Sequence, residues 1–355
     1  MERACRRHRP LGVVAEGDRR CGGGLRAPVE GGAVKIAVVE GDGIGREVVP
    51  VARQALEVLR PEMSFFPVDV GYAVWEATGS ACDDEAMRDL ASADAILFGA
   101  ITTPPDPDYR SVLLQIRHQL DLYANVRPVK GPGFDIVVVR ENTEGLYSGI
   151  EWTEADRACT VRVVSRRGSR RIARYACGLA RGRSQLTVGN KANVLKSDVL
   201  FRNICLEEAA RAGVPCSTQY IDALALDLLM QPSRYDVIVT TNIFGDILSD
   251  IAAYLVGGLG MLPSANIGRR HALFEPVHGS APDIAGRDIA NPVAAVRSAA
   301  LLLAHTGDAA GALAIEHAIE AVFSRGIKTR DLGGTAGTRA FGEALIGELS
   351  RLARR

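Results

Sequence analysis

The sequence predicts an α/β protein built around a mainly parallel β-sheet. From residue 34 onward, short runs rich in β-branched residues alternate with segments of helical periodicity. The 355 residues are enough for two domains, and the hydrophobic fraction of 47% is typical of a globular protein. No internal repeat or low-complexity tract interrupts this alternation after residue 33.

Individual elements follow from the same pattern. The predicted strands are the apolar runs at 34–39, 95–98, 136–140, 185–188 and 237–240. The predicted helices cover 45–59, 170–180, 198–212, 246–255, 292–305 and 309–325. The stretch 151–165 alternates near its centre and predicts an arm or hairpin. The uncharged run 251–268 contains several glycines and Pro263, so we interpret it as a buried helix end followed by a loop rather than a membrane span.

Charge and cysteine content exclude several classes of protein. The chain has 42 basic and 42 acidic side chains, so no net field attracts nucleic acid. Seven cysteines show neither a C-x-x-C pair nor zinc spacing, which favours a reducing cytoplasm. Residues 1–33 are rich in arginine and glycine and predict a disordered extension, and their acidic residues argue against a transit peptide.

A glycine-rich turn, GDGIG, separates the first predicted strand from the first helix at residues 41–45. Its spacing is G-x-G-x-G rather than the dinucleotide fingerprint G-x-G-x-x-G, and no acidic ribose anchor follows about twenty residues later. We therefore favour a tight strand-to-helix turn, with a Rossmann cofactor site as the alternative.

Carboxylates cluster after the predicted strand 237–240. Asp246 and Asp250 are four residues apart, which places them on one face of a helix near its predicted N-terminus. Two close carboxylates repel each other unless a cation lies between them, and oxygen ligands suit Mg²⁺ or Mn²⁺. Asp222 is a third candidate ligand. The alternative is that the acids only stabilise a helix N-terminus through its dipole.

Arg117, Arg127 and Arg140 each lie beside apolar sequence, which predicts partial burial. A buried arginine needs an anionic partner, and three of them could grip the carboxylates of a compact polyanion. Taken singly, each is also explained by a structural ion pair. Tyr147 and Lys191 are an acid and a base of the kinds used for proton transfer.

Ordered motifs over about residues 34–350 resemble the isocitrate/isopropylmalate dehydrogenase family, the β-decarboxylating dehydrogenases of 3-substituted malates, which include homoisocitrate and tartrate dehydrogenases. The motifs read GDGIGREV, IRHQLDLYANVRP, VVRENTEGLYSGIE, NKANVLKSD, YIDALALDLL, NIFGDILSDIAAYLVGGLGMLPSANIG and EPVHGSAPDIAGRDIANP. The family does not use the dinucleotide fingerprint, so the spacing of the GDGIG turn is compatible with this resemblance.

The resemblance implies an isopropylmalate dehydrogenase-like two-domain fold with a large mixed sheet, not a Rossmann fold. Residues 34–122 and 257–355 would form a large cofactor-binding domain, and residues 123–256 a smaller domain with the dimer interface and the metal site. The implied assembly is a homodimer with shared active sites. The implied cofactors are NAD and Mg²⁺ or Mn²⁺, and neither nucleic acid nor a membrane is an expected partner.

The resemblance also implies residue roles. Tyr147 would be the catalytic acid, and Lys191 of the partner subunit the base. Asp246 and Asp250 would bind the metal with Asp222 of the partner subunit. The implied substrate contacts are Ser111, Leu113, Leu114, Arg117, Arg127, Arg140 and Asn193. The implied cofactor contacts are Thr102, His278, Gly279, Ser280, Ala281, Asp283 and Asn291, where His278 is equally explained as a structural loop residue.

Two choices of specificity follow from the resemblance. Asp283 lies where NAD-using relatives carry an acid for the adenosine ribose, and its charge would repel a 2′-phosphate, which predicts NAD over NADP. Leu113 and Leu114 match the apolar pair of isopropylmalate enzymes, whereas Ser111 resembles isocitrate enzymes. Homoisocitrate enzymes tend to carry an extra arginine near Leu114, and this chain lacks it. We predict 3-isopropylmalate, with isocitrate, homoisocitrate, tartrate or an unusual malate as alternatives.

A hypothesis of another class is a non-catalytic regulatory subunit. Such subunits tend to lose catalytic residues. The chain retains the whole implied set: Arg117, Arg127, Arg140, Tyr147, Lys191, Asp222, Asp246 and Asp250. This retention favours an enzyme.

Overall fold

The computed structural model describes residues 33–106 and 109–354. Apart from Ala33, the extension predicted for residues 1–33 lies outside the described residues. Within the described part, apolar runs form strands and amphipathic segments form helices, as their periodicities predict.

The strands are β1 Lys35–Gly41, β2 Ser64–Pro67, β3 Ala95–Ala100, β4 Ala124–Gly131, β5 Phe134–Glu141, β6 Glu151–Thr153, β7 Ala158–Thr160, β8 Leu186–Asn190, β9 Cys216–Tyr220, β10 Val237–Thr240, β11 Pro263–Ile267 and β12 Ala272–Pro276. The α-helices are α1 Gly45–Leu59, α2 Tyr72–Thr78, α3 Asp84–Ser92, α4 Val112–Gln119, α5 Arg166–Ala180, α6 Lys196–Ala212, α7 Ile221–Met230, α8 Asn242–Ala253, α9 Val293–His305, α10 Ala309–Ser324 and α11 Thr338–Ala353.

Ten strands form one mixed sheet in the order β2-β1-β3-β12-β11-β4-β5-β10-β8-β9. Pairing is parallel except at the centre, where β12, β11, β4 and β5 pair antiparallel with one another. The prediction of an α/β fold with a large, mainly parallel mixed sheet is confirmed. The predicted arm or hairpin is the antiparallel pair β6-β7.

Both faces of the sheet are buried. Along β1, Ile36 and Val38 belong to one apolar cluster, and Ala37 and Val39 to another. Successive strand residues point to opposite faces, so this division shows that helices cover both sides. Helices α1, α5, α6, α9, α10 and α11 contribute to the first cluster, and α3 and α4 to the second. A third cluster packs α7 and α8 on the far half of the sheet.

One interpretation of the sequence is wrong. The run 251–268 was expected to be a helix end and a loop, but residues 263–267 form β11, which is completely buried. Its Asn266 accepts a hydrogen bond from Asn125 of β4, with 2.9 Å between Nδ2 of Asn125 and Oδ1 of Asn266. A polar residue is thereby accommodated in a buried strand, which the composition of the run does not reveal.

No helix within the described ranges is long and apolar enough to cross a membrane. The five cysteines of the described part, Cys82, Cys159, Cys177, Cys205 and Cys216, are all free thiols.

Candidate active site

Most of the predicted site residues lie at or just beyond the carboxyl ends of strands, which is where α/β proteins bind ligands. Strands β5, β8, β9 and β10 run parallel to one another and opposite to β3 and β12, so these residues follow strand ends in two halves of the mixed sheet. The placements are Thr102 after β3, Arg140 near the end of β5, Lys191 after β8, Asp222 after β9, Asp246 and Asp250 in the helix after β10, and His278 after β12.

Arg140 is held by α8. Its side chain is 2% exposed, and its Nε and Nη2 atoms donate to Oδ1 of Asn242 at 2.9 and 2.7 Å. Its Nη1 atom donates to Oδ1 of Asp246. This contact needs α8 to approach β5 closely, and Gly245 permits it, because a Cβ atom there would lie 2.6 Å from Cβ of Arg140.

Arg127 lies beside Arg140 on the neighbouring strand β4. Its Nη1 atom donates to Oγ of Ser249 at 2.5 Å, while its contacts with Asp246 and Asp250 are both longer, at 3.4 Å. The Nε atom of Arg127 is buried and has no hydrogen-bond partner among the described residues. Arg127 therefore keeps donor capacity for an anion that enters the site.

Tyr147 completes this cluster. Its hydroxyl donates to Oδ2 of Asp246 at 3.1 Å, and the guanidinium of Arg140 lies 5.6 Å from the centre of its ring. Burial raises the pKa of Tyr147, and the charge of Asp246 raises it further, so the group is a protonated donor. Burial acts to raise the pKa of Asp246, but Arg140 and Arg127 outweigh it and hold that pKa below its ordinary value.

Asp246 and Asp250 share one face of α8 as predicted, but the expected position at the helix N-terminus is wrong. Helix α8 starts at Asn242, one turn before the predicted start, and its first turn contains no acid. The helix dipole acts within the first turn. The alternative that these acids only stabilise a helix N-terminus is therefore excluded; in the described chain Asp246 is paired with Arg140 and Arg127, and Asp250 with Arg127.

Arg117 faces a cavity of about 170 Å³. Its Nη2 atom lies 3.1 Å from Oε1 of buried Glu275, and its Nε atom has no hydrogen-bond partner in the described ranges. The lining includes Ser111, Leu113, Arg117, Arg127, Glu275 and His278. Leu114 is partly buried and is absent from that lining, so the two predicted leucines differ in their access to the cavity.

Lys191 and Asp222 form a second cluster. Their Nζ and Oδ1 atoms lie 2.7 Å apart, and this hydrogen bond lowers the pKa of Asp222. Asn193 is exposed in the turn that follows Lys191. In the described chain, neither Lys191 nor Asp222 is hydrogen-bonded to Arg140, Tyr147 or Asp246. One chain thus presents the predicted residues as two separate groups.

The glycine-rich turn supports a loop that carries several predicted cofactor contacts. The backbone N–H of Ile44 donates to the carbonyl of Ser280 at 2.8 Å, and a Cβ atom at Gly43 would meet that carbonyl at 2.0 Å. Oγ of Ser280 lies 2.7 Å from Oγ1 of Thr102. Buried Asp42 accepts from the backbone N–H of Thr102 at 2.9 Å. The turn acts as a scaffold, in agreement with the favoured interpretation.

The remaining predicted cofactor residues differ in their exposure and in whether their polar atoms already have hydrogen-bond partners. His278 and Gly279 line the cavity, and Nε2 of His278 is buried without a hydrogen-bond partner among the described residues. Burial lowers the pKa of His278, so the ring is neutral. Asp283 is exposed. Asn291 is already engaged, because Nδ2 donates to Asp331 at 2.9 Å and Oδ1 accepts from the backbone N–H of Val293.

Ala281, the last predicted cofactor contact, has a left-handed backbone with φ of 38°. Left-handed geometry is uncommon outside glycine and marks a constrained turn. It lies between buried Ser280 and exposed Asp283, so the constraint shapes the loop next to the cavity. A loop of fixed shape with an unpartnered buried ring nitrogen fits a bound cofactor better than a bare surface turn.

The donor set for a divalent cation is incomplete in one chain. No group of three or more His, Cys, Asp or Glu side chains in residues 33–106 and 109–354 lies together so as to hold a metal ion. Asp246 and Asp250 present carboxylates whose side chains are 31% and 55% exposed. Two accessible oxygen donors on one helix face fit part of a Mg²⁺ or Mn²⁺ site, with further oxygen ligands from elsewhere.

Four residues at the site were not identified from the sequence: Asp42, Asn242, Ser249 and Glu275. Each contacts a predicted site residue: Thr102, Arg140, Arg127 and Arg117, respectively. The signal for Asn242 was present, since it precedes Asp246 by one helical turn on the same face. Glu275 lies next to the end of β12, and the arginine that it contacts is 158 positions away in the sequence, so no local pattern identifies it.

Comparison with known proteins gives the same family throughout. A family described as isocitrate/isopropylmalate dehydrogenase matches residues 35–345. An isocitrate/homoisocitrate dehydrogenase of Thermus thermophilus is 46% identical over 334 residues, which cover 90% of this chain and all of the relative. The 3-isopropylmalate dehydrogenase of Archaeoglobus fulgidus is 47% identical over 320 residues, covering 86% of this chain and 97% of the relative.

Among solved structures, the crystal structure of isocitrate dehydrogenase from Methylococcus capsulatus superposes with a TM-score of 0.86 at 41% identity. The match covers 89% of this chain and 99% of that chain. The relatives thus agree on the reaction class and differ in the substrate that they are named for.

Proposed function

Because the chain belongs to the isocitrate/isopropylmalate dehydrogenase family, an oxidoreductase family of decarboxylating dehydrogenases, we propose that it oxidatively decarboxylates 3-isopropylmalate with NAD and Mg²⁺ or Mn²⁺. The product would be a 2-oxo acid and CO₂. The observation that supports this proposal best is a cavity lined by two buried arginines, Arg117 and Arg127, and by the apolar side chain of Leu113.

The arginines account for binding of a dicarboxylate. Arg117 and Arg127 each retain a buried Nε atom without a partner among the described residues, and both line the cavity. Burial lowers the pKa of Arg140, and the nearby positive charges of Arg117 and Arg127 lower it further, while Asp246 acts in the opposite direction. An anionic substrate relieves the repulsion between these positive charges and satisfies the free donors.

Leu113 supplies the side-chain preference. Of the two predicted substrate-binding leucines, it is the one that lines the cavity, on the same wall as Ser111. An isopropyl group packs well against leucine, whereas a carboxylate there would lose its hydration without a charge partner. We therefore place 3-isopropylmalate first.

The proton transfers are assigned to Lys191 and Tyr147. Lys191 of the partner subunit would accept the hydroxyl proton of the substrate, and Tyr147 would donate a proton to carbon after CO₂ leaves. Asp246, Asp250 and Asp222 of the partner subunit would hold the cation. When bound, the cation stabilises negative charge on oxygen, and NAD accepts the electrons of the oxidation.

A homodimer follows from the same division of residues. Asp222 and Lys191 form a cluster of their own, so a second copy could bring them to Asp246. Large apolar side chains are exposed on and beside α7 and α8: Leu226, Met230, Ile247 and Tyr254. Burial of this surface against its own copy would remove it from water. The arm β6-β7 also exposes Ile150 and Trp152.

The domain division, the choice of cofactor and the cellular compartment complete the proposal. Residues 34–122 and 257–355 would form the cofactor-binding domain, and residues 123–256 the smaller domain with the metal site and the interface. Asp283 would select NAD at the adenosine ribose. Five free thiols support a reducing cytoplasm as the compartment.

Isocitrate and homoisocitrate form the second candidate, supported by Ser111. Its position in the cavity lining offers a hydroxyl to a substrate carboxylate. The test is NADH formation with Mn²⁺ and NAD, comparing kcat/KM for 3-isopropylmalate, isocitrate, homoisocitrate, tartrate and malate. We expect 3-isopropylmalate to lead by about tenfold, or about 1.4 kcal/mol. A lead by isocitrate or homoisocitrate would reverse the order of the two candidates.

A further inference from the structure

The turn that carries Lys191 is anchored by a buried carboxylate that has no role in the site described above. Asp198 lies in the first turn of α6, and its side chain is completely buried. Its Oδ2 atom accepts from the backbone N–H of Lys191 at 2.6 Å, and its Oδ1 atom accepts from Nη2 of Arg162 at 2.6 Å. One carboxylate therefore fixes the backbone of Lys191.

Asp198 does not cap its own helix. Helix α6 begins after Leu195, and no side chain caps that terminus. The N–H that Asp198 accepts belongs to Lys191, four residues before Leu195 and outside the helix. A carboxylate that served only the helix would bind the free N–H groups of the first helical turn. The contact therefore stabilises the turn.

Arg162 extends this anchor to the helix that carries the other cluster. It follows the arm β6-β7, and its side chain is 13% exposed. Besides Asp198, it donates from Nη1 to Oγ of Ser197 and from Nη2 to Oγ1 of Thr241 at 2.9 Å. Its guanidinium lies 5.2 Å from the ring centre of Phe244 in α8. Thr241 is the residue directly before α8.

We propose that Asp198 and Arg162 are positioning residues for Lys191, which hold its turn against α8 of their own subunit and so fix the place from which Lys191 reaches the active site of the partner subunit. The inference rests on the proposed function, in which Lys191 is the base. A base must lie within hydrogen-bond reach of the proton that it removes. Lys191 is 27% exposed and has a long, flexible side chain, so its reach depends on where its backbone is held.

The kinetic test uses Asp198→Asn and Arg162→Gln in the full chain. Displacement of a reacting group by about 1 Å costs about 100-fold, so we expect kcat to fall by about that factor in each variant. The KM values for the malate and NAD should change by less than about threefold, because the arginines and the cavity are untouched. Arg162→Lys, which keeps the charge beside Asp198, should recover part of the lost kcat.

The matched control is Arg170→Gln. Arg170 also joins α5 to a buried carboxylate of α6, with 3.0 Å between its Nε atom and Oε1 of Glu208, and this ion pair involves no residue of the Lys191 turn. Its kcat should stay within about threefold of the unaltered protein. An equal loss of kcat in this control would show a general effect of ion pairs to buried carboxylates of α6 and would overturn the proposal.

A second readout is independent of turnover. The N–H of Lys191 is protected by Asp198, so amide hydrogen exchange at Lys191 should become about tenfold faster in Asp198→Asn and remain unchanged in Arg170→Gln. Unchanged exchange would overturn the positioning role. If Asp198→Asn does not fold, Arg162→Gln carries the measurement: Asp198 then still accepts from Lys191 but is no longer held by Arg162, so exchange at Lys191 should again become faster.

The outcomes separate this inference from the proposed function. If the unaltered protein oxidises no 3-substituted malate, the proposed function fails and the positioning role fails with it. If the unaltered protein is active and both variants retain kcat within about threefold, only the positioning role is overturned. A selective loss of kcat together with faster exchange supports both.

Discussion

The Nζ atom of Lys191 lies 2.7 Å from Oδ1 of Asp222, and the two residues follow the neighbouring parallel strands β8 and β9. In the described chain this pair is separate from the cluster of Arg140, Tyr147 and Asp246. Under the proposed function, a complete set of catalytic groups would come from two copies, each contributing a different cluster.

The first prediction concerns this division. Lys191→Met and Asp246→Asn should each be inactive as purified homodimers. Coexpression should restore about a quarter of the normal activity, because about half of the dimers are hybrids and each hybrid has one intact site of two. NADH formation measures the recovery. The control is coexpression of Lys191→Met with Asp222→Asn. Both changes lie in the same cluster, so every site of the hybrid receives an altered cluster and no activity should be restored. Equal recovery in both mixtures would contradict the division.

The second prediction concerns Tyr147. Tyr147→Phe removes the hydroxyl that donates to Asp246 and keeps the ring under Arg140. We expect kcat to fall by about 100-fold or more with little change in KM, as for the loss of a general acid. Steady-state kinetics checks this. Tyr254→Phe, at a tyrosine that is 80% exposed, is the control. A kcat close to normal would remove Tyr147 from the catalytic groups.

The third prediction concerns Leu113. Leu113→Asn should lower kcat/KM for 3-isopropylmalate by about tenfold, since a polar group loses hydration against an isopropyl group. The value for isocitrate should not fall. Leu114→Asn is the matched control, because Leu114 is partly buried but absent from the cavity lining. A larger loss at Leu114 than at Leu113 would place the substrate against a different wall.

The fourth prediction concerns cofactor choice. Asp283 is exposed in the loop after His278, and its charge would repel a 2′-phosphate. Asp283→Ser should lower the ratio of kcat/KM for NAD to that for NADP by about tenfold. Asp69→Ser, at another exposed acid, is the control. If the ratio is unchanged, or favours NADP already in the unaltered protein, selection lies elsewhere.

The fifth prediction concerns acid stability. Burial lowers the pKa of His305 from 6.5 to about 4. Its ring packs edge-on against Phe274, with 5.3 Å between the two ring centres. The unfolded chain binds this proton near pH 6.5 and the folded chain only near pH 4, so the folded state should lose stability as pH falls through this window. The loss should be at most about 3 kcal/mol.

Urea unfolding at several pH values measures this effect, and His305→Leu should lose less stability than the unaltered protein between pH 6.5 and 4. Parallel losses in the two proteins would show that other groups govern acid unfolding.

Local periodicity predicted some elements well and others not at all. Helix α1 and strand β10 have the predicted bounds, because one has a strong apolar face and the other is almost wholly apolar. Strands β4 and β11 escaped prediction, since ANVRPVKG and PSANI contain proline and polar residues. Asn266 accepts from Nδ2 of Asn125 and donates to Glu275, so its polar atoms find their partners only in the folded sheet.

The start of α8 illustrates the same limit. Thr241 is of a residue type that favours the N-cap, and α8 begins directly after it at Asn242, a turn before the predicted start. This first turn provides the contact from Asn242 to Arg140. The partner of the arginine was thus hidden by a boundary error.

The sequence by itself determined the fold class, the family and the kinds of residue available for chemistry, because these depend on periodicity and on motifs in order. Only the tertiary structure decided which charges meet. Arg140 contacts Asp246 across 106 residues, while Lys191 contacts Asp222. Such pairings depend on which strands are neighbours in the sheet, and ion pairs act over a few ångströms of space rather than along the chain.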